Sequence, residues 1–292
     1  MLLAMLGAVA FSGKAIIVKL AYRYGVDAVT LIMLRMLFAL PFFLAMSWWA
    51  SRPRGGRVPV ALSRRDVAGI VGLGFTGYYL ASFLDFAGLA FISASLERLI
   101  LYLNPTLVLL LGWVLVGRRI AQRQALGMAI SYGGVLLVFG LEVRLDGSGV
   151  ALGALLVFLS AVSYALYLFY SGEMVQRLGS LRLVGLATSV ACGLCIVQFG
   201  VLRPWSALQT VASEVVWLSV LNATLCTVVP VLLVMMAIER IGSGLAAQVG
   251  MVGPMSTMLM GVLLLGEPFT LWLLAGTALV IAGVAVCSRT AA

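Results

Sequence analysis

Ten stretches of this chain are each about as long as a bilayer is thick and nearly free of charge: 1–20, 28–50, 66–86, 91–116, 123–141, 151–172, 183–202, 215–238, 244–265 and 270–288. A helix needs roughly 20 apolar residues to cross about 30 Å of hydrocarbon, and in that layer each backbone polar group must be satisfied within the segment. The runs therefore predict an all-α membrane protein with ten transmembrane helices. Little remains for a water-soluble domain, since 63% of the 292 residues are hydrophobic and 10% are charged. The longest connector, residues 51–66 (SRPRGGRVPVALSRRD), reads as a basic loop. The opening MLLAMLGAVAFSGKA has no basic residue before its apolar run, so it reads as the first helix and not as a secretory signal.

Basic residues set the expected orientation, because cytoplasmic loops retain Lys and Arg. With the N-terminus inside, the cytoplasmic connectors and C-terminus hold twelve: Arg52, Arg54, Arg57, Arg64, Arg65, Arg118, Arg119, Arg123, Arg177, Arg182, Arg240 and Arg289. The outer connectors hold four: Lys19, Arg23, Arg144 and Arg203. Both termini are accordingly expected in the cytoplasm of a cell with the chain in its inner membrane. The net charge of +9 is then a topology signal, and a nucleic-acid partner is not expected.

Residues 92–135 and 241–284 align without a gap. Leu96/Leu245, Pro105/Pro254, Gly112/Gly261, Gly117/Gly266, Gly127/Gly276 and Gly134/Gly283 fall in register. The chain divides into two five-helix halves, 1–141 and 151–288. Five is odd, so the second half is expected upside down relative to the first. The basic GRR at Gly117 becomes GEP at Gly266, as the positive-inside rule requires of a loop moved to the outer face.

Ten helices in two inverted halves, the Pro-bearing fourth and ninth helices, and the LLLGEP closing the ninth resemble the drug/metabolite transporter superfamily, in its EamA-like family. The resemblance covers essentially the whole chain. It implies an inner-membrane carrier, often an exporter of amino acids or other small metabolites, with a central cavity lined mainly by helices 1, 3, 4, 6, 8 and 9. The fourth helix departs from the pattern by ending in VGRR, where an acidic residue often follows the Gly. Independently of family, inverted repeats allow a midplane site to open to either side as the halves rock. Pro105 and Pro254 each remove a backbone hydrogen bond, which predicts kinks near mid-membrane and carbonyls freed for a polar substrate.

Away from the ends of the runs five charges remain, all in the first half and all in its outer part: Lys14, Arg35, Asp85, Glu97 and Arg98. Their counterparts include Val234, Ala246 and Ala247, none of them charged. A charge at bilayer depth costs at least about 2.5 to 3.5 kcal/mol, so the five are expected to face one another or water. The reading is an interior cluster, positive on balance, that binds a carboxylate or gates the outer mouth; the alternative is a fixed ion-pair network clamping helices 1 to 4. Adjacent helical residues point about 100° apart, so Glu97 and Arg98 are expected to meet different partners.

Tyr78, Ser82 and Asp85 share one face of the third helix, and Tyr102 and Asn104 precede Pro105. With Tyr164, Tyr167, Asn222, Thr224 and Gln248 they make up the candidate cavity lining, although such residues also serve as hydrogen-bonding glue between membrane helices. Three motifs are discounted. GLGFTG at 72–77 spells GxGxxG inside an apolar helix, where close packing explains glycine. CGLC at 192–195 has no second pair and no His to complete a metal site, so its cysteines read as small apolar residues. NAT at 222–224 is a sequon buried in a helix.

A secondary transporter is favoured. An intramembrane enzyme would need a nucleophile with its base or a metal site, and neither HExxH nor GxSxG occurs. A noncatalytic membrane scaffold or lipid flippase component would not need interior charges. No cofactor and no metal are expected. The expected partners are a small-molecule substrate, the lipid bilayer and, in a proton-coupled antiporter, protons; the expected assembly is a monomer or weak dimer.

Overall fold

The structure is a computed structural model that describes residues 2–53, 60–117, 119–146, 149–234, 236 and 252–288. Its helices, in chain order, are α1 (Leu2–Tyr22), α2 (Ala28–Ala50), α3 (Arg64–Leu89), α4 (Ala94–Val116), α5 (Gln122–Asp146), α6 (Val150–Leu178), α7 (Ser180–Leu202), α8 (Ser213–Val234), α9 (Val252–Leu265) and α10 (Leu271–Ser288). A single 3-10 turn, Trp205–Thr210, lies between α7 and α8. There is no strand among the described residues. Among the described residues, eight helices, α1 to α8, are long and apolar enough to span a membrane, and α9 and α10 are shorter apolar helices. Residues 244–251, the predicted start of the ninth helix, lie outside the described residues.

Several helix ends differ from the apolar runs, because capping overrides hydropathy. Helix α4 begins at Ala94 instead of 91, where the Ser93 hydroxyl accepts from the Leu96 N–H at 3.0 Å. Helix α3 begins at Arg64 with a capping box between Ser63 and Asp66. Helix α6 runs on to Leu178 instead of 172 and stops at Gly179, whose φ of 82° suits glycine. In that added stretch Arg177 pairs with Asp66 at 3.0 Å, tying the end of α6 to the start of α3.

Helices α5 and α10 pack backbone to backbone through glycines that the sequence alignment had matched. A methyl group on Gly127 would lie 2.6 Å from the Gly283 carbonyl oxygen, and one on Gly134 2.6 Å from that of Gly276. The aligned pairs, 127 with 276 and 134 with 283, thus meet crosswise, the reciprocal pattern of a two-fold contact between antiparallel helices. Between membrane helices there is no hydrophobic drive for association, so close approach of small residues supplies it. Helices α2 and α7 also run antiparallel: Gly185 abuts Phe43 and Ser47, and the Cys192 thiol lies 3.7 Å from the Met36 sulfur.

The helices are not uniformly α. Within α3, residues Gly74–Leu80 are π-helical, and within α8 so are Thr224–Val228. In the register that lays Ile92 over Ile241, residues 74–80 fall on 223–229, so both wide turns occupy the same place in the two halves. A π turn leaves the ordinary i to i−4 ladder and rotates the following face; such turns concentrate at functional sites. Asp85 follows one of them. A third π segment, Gly261–Leu265, ends α9.

Candidate functional site

Lys14 on α1 stands between two carboxylates. Its Nζ donates to Asp85 Oδ2 of α3 at 2.5 Å and lies 3.3 Å from Glu97 Oε1 of α4. The side chains of Lys14, Asp85 and Glu97 are 11%, 3% and 0% exposed. Three helices thus converge on one ammonium group, which a residue of α1 reaches because lysine carries its charge on a long flexible stem. Five polar atoms of these side chains and their arginine neighbours are buried without a hydrogen bond: Asp85 Oδ1, Glu97 Oε1 and Oε2, Arg35 Nε and Arg98 Nε.

The two arginines take other partners. Arg35, 4% exposed, lies over the ring of Phe86, 4.6 Å from its centre, beside Asp85 in sequence. Arg98 points away from Glu97: its Nη2 donates to the Ser12 hydroxyl at 3.5 Å, and the guanidinium sits 6.0 Å from the ring centre of Phe11. It also lies against α9, where a methyl at Gly253 would approach Nη2 to 2.8 Å. Ser12 in turn donates to the Gly253 carbonyl at 2.9 Å. Arg98 therefore stands where α1, α4 and α9 meet.

Toward the end of the bundle that carries few arginines, further bonds close the same junction. The Glu267 carboxylate, after α9, accepts from the Ala94 N–H at 2.7 Å and the Ser95 hydroxyl at 2.7 Å, capping the first turn of α4. Glu142 near the end of α5 accepts from the Ser93 N–H at 3.2 Å and from its hydroxyl. Arg23 donates to the Leu265 carbonyl at 2.9 Å. Ser12, Ser93, Ser95, Glu142 and Glu267 escaped the sequence reading. The one signal for Glu267 was the GEP motif, there taken as a marker of loop orientation and of the family resemblance, not as a helix cap.

The remaining candidates gather elsewhere or not at all. The Tyr78 and Tyr167 hydroxyls lie 3.3 Å apart with rings edge to face, and Tyr164 stacks on Tyr167 at 5.4 Å. This group on α3 and α6 is about 10 Å along α3 from Asp85, at 1.5 Å per residue. Ser82 lies half-buried between the two groups. Asn222 of α8 is 1% exposed, and neither side-chain atom has a hydrogen bond. Thr224 bonds back to the Val220 carbonyl at 2.7 Å, within its own helix. Tyr102 caps the first segment of α4 through its N–H. Gln248 lies outside the described residues.

Two expectations are corrected here. Helix α4 does break ahead of Pro105, with Tyr102 and Leu103 in a turn, but the carbonyl that proline leaves unpaired is not open to a substrate. The Leu101 carbonyl is taken by the Asn104 amide at 2.7 Å, a residue close enough in sequence to fold back on it. Pro254 sits in the first turn of α9 as described, where it is buried. In GLGFTG, close packing accounts for two glycines and not for the first. A methyl would meet the Ala187 carbonyl at 2.5 Å from Gly74 and the Tyr167 ring at 2.4 Å from Gly77, whereas at Gly72 nothing lies within 4 Å. Cys192 and Cys195 are buried free thiols. Among the described residues, no three His, Cys, Asp or Glu side chains are placed to hold a metal ion.

Comparison with known proteins agrees with this architecture. The model of the EamA-like transporter family matches residues 1–140 and 151–289. The chain is 30% identical over 273 residues to the uncharacterized transporter YcbK of Bacillus subtilis (strain 168), covering 90% of this chain and 84% of that one. It is 26% identical over 211 residues to the uncharacterized transporter YvbV of the same organism, covering 69% and 65%. A crystal structure shares the fold with a TM-score of 0.64 at 20% identity, over 99% of this chain and 97% of the other. This all-helical, multi-pass chain, with charges buried where its helices converge, belongs to the EamA-like transporter family of membrane transporters.

Proposed function

We propose that the protein is a secondary transporter that exports small polar metabolites, amino acids or related carboxylate-bearing compounds, across the inner membrane, with both termini cytoplasmic. Two inverted halves, 1–141 and 151–288, alternate access to a site between them. The crosswise glycine contacts of α5 with α10 and the paired π turns of α3 and α8 support this symmetry.

The observation that carries the reading is Lys14 shared by Asp85 and Glu97 beside two arginines whose Nε atoms lack hydrogen bonds. A substrate carboxylate supplies the acceptors that Arg35 and Arg98 lack. It also competes with Asp85 and Glu97 for Lys14, loosening the junction of α1, α3 and α4. Arg98 is central because it touches α1 and α9, one in each half, so occupying it bears on how the halves meet.

The test is a competition screen of amino acids and small organic anions on protein in liposomes, with Glu97→Ala and Lys14→Ala beside it. Carboxylate-bearing compounds are expected to compete, and both variants to lose transport while keeping the fold. Normal transport by both folded variants overturns the assignment. A proton-coupled antiporter is the second reading, favoured by two carboxylates on one ammonium group; transport that is indifferent to pH in liposomes excludes it.

A further inference from the structure

Away from the charged junction, the surface carries two grooves related by the repeat. The first, about 700 Å³, lies between α4 and α5 and is lined by Leu110, Trp113, Ile120, Ala125, Met128 and Tyr132, with Arg119 at its mouth. The second, about 390 Å³, lies between α9 and α10. Its Leu259, Val262, Phe269 and Leu274 are the aligned counterparts of Leu110, Trp113, Ile120 and Ala125. The pair open toward opposite ends of the bundle, because Arg119 lies in the connector of the Arg-rich end and Phe269 in a connector of the Arg-poor end.

Their mouths differ in charge. Arg119 of the first corresponds to Pro268, which follows the acidic Glu267, and Arg123 lies in the first turn of α5. Arg119 and Arg123 are both exposed. From the start of α5 to Tyr132 the first groove extends about 15 Å at 1.5 Å per residue, the depth of one leaflet of a core about 30 Å thick. An apolar slot of leaflet depth with a guanidinium at the headgroup level matches one molecule in both its parts: acyl chain below, phosphate above.

We infer that the α4/α5 groove is a binding site for an anionic phospholipid of the leaflet at the Arg-rich end. Arg119 holds the phosphate, and the acyl chain lies along Trp113, Met128 and Tyr132. The α9/α10 groove takes an acyl chain without headgroup selection, since among the described residues no cation lines it and the nearby Arg23 is bonded to the Leu265 carbonyl. The asymmetry makes one face of a symmetric carrier responsive to lipid charge.

Native mass spectrometry of the purified protein in detergent, supplied with equal phosphatidylglycerol and phosphatidylcholine, tests this. The wild type is expected to retain phosphatidylglycerol about fivefold over phosphatidylcholine, from about one arginine's attraction to an anionic headgroup. Arg119→Gln, an exposed change that leaves the packing intact, should bring the ratio near one, and Arg123→Gln should leave most of it. Ala129 also lines the groove, and Ala129→Trp, which fills it, should release both lipids. An unchanged ratio in Arg119→Gln, or a ratio lost equally in both arginine variants, overturns the assignment. So does a concentration-dependent dimer that Ala129→Trp abolishes, which gives the groove to a second copy of the chain.

Discussion

Replacing Lys14 by Met removes the one ammonium group between Asp85 and Glu97 and leaves both carboxylates buried. At 2.5 and 3.3 Å, with an effective dielectric of about 20, the two attractions amount to about 7 and 5 kcal/mol. Desolvating the three side chains offsets most of that, so the pair is worth little against an apolar substitute, but breaking it is costly. Loss of one partner from a buried ion pair typically destabilises by about 3–5 kcal/mol, and the lost partner here serves two carboxylates. Reversible unfolding in mixed micelles of rising SDS fraction is therefore expected to show Lys14→Met less stable by at least about 3 kcal/mol. Asp85→Asn and Glu97→Gln should each cost less, because Lys14 keeps one partner. The triple change Lys14→Met, Asp85→Asn, Glu97→Gln should recover to within about 1 kcal/mol of the parent and still lack transport. A single Lys14→Met variant within about 1 kcal/mol of the parent, or a triple variant as unstable as the single, would refute the reasoning.

Gly134→Ala should destabilise by about 1–3 kcal/mol, since its methyl meets the Gly276 carbonyl at 2.6 Å; Gly133→Ala next to it, with nothing within 4 Å, should fall within about 0.5 kcal/mol of the parent in the same unfolding assay. Glu267→Gln weakens a charge-assisted cap on α4 and should lower stability by about 1–2 kcal/mol, whereas an equal loss in the Glu267→Gln, Ser95→Ala pair as in Ser95→Ala alone would show that the carboxylate contributes nothing. At Asp27, outside the membrane-spanning helices, burial pushes the carboxyl up, but bonds from the Thr30 N–H and hydroxyl and from Arg203 outweigh it and hold it below the usual carboxylate range. A depressed folded value means that this contribution is present at neutral pH and is lost as pH falls below about 4. The side chain is 39% exposed, so solvent screening keeps the effect under about 1 kcal/mol; Asp27→Asn should flatten that part of the stability profile between pH 5 and pH 2, as denaturant midpoints would record.

How much of this was legible beforehand follows from which signals are local. Helix existence was, because spanning length and hydropathy are read along one segment. That Gly127 and Gly134 correspond to Gly276 and Gly283 was legible; that they pack against one another was not, because an alignment gives kinship and not contact. Which charges would meet was not: Lys14, Asp85 and Glu97 carry no periodic relation to one another across three helices. Glu267 was noticed for its charge and missed as a cap, because the N–H groups that it serves begin a helix in the other half. The amide of Asn104 closing the carbonyl left by Pro105 was missed because proline chemistry predicts the gap and says nothing of what fills it.

By itself, then, the sequence determined the solvent in which this chain folds, its helical class, and the kinship of residues 92–135 with 241–284, since apolar length and in-register glycine and proline are one-dimensional facts. Only the tertiary structure decided that one lysine serves two carboxylates, that Arg98 turns from its neighbour toward Ser12 and Gly253, and that α3 and α8 each widen into a π turn at matching positions. Lateral packing chooses those partners: in lipid every apolar face is equally satisfied, so close approach and buried polar bonds select among arrangements that hydropathy treats alike.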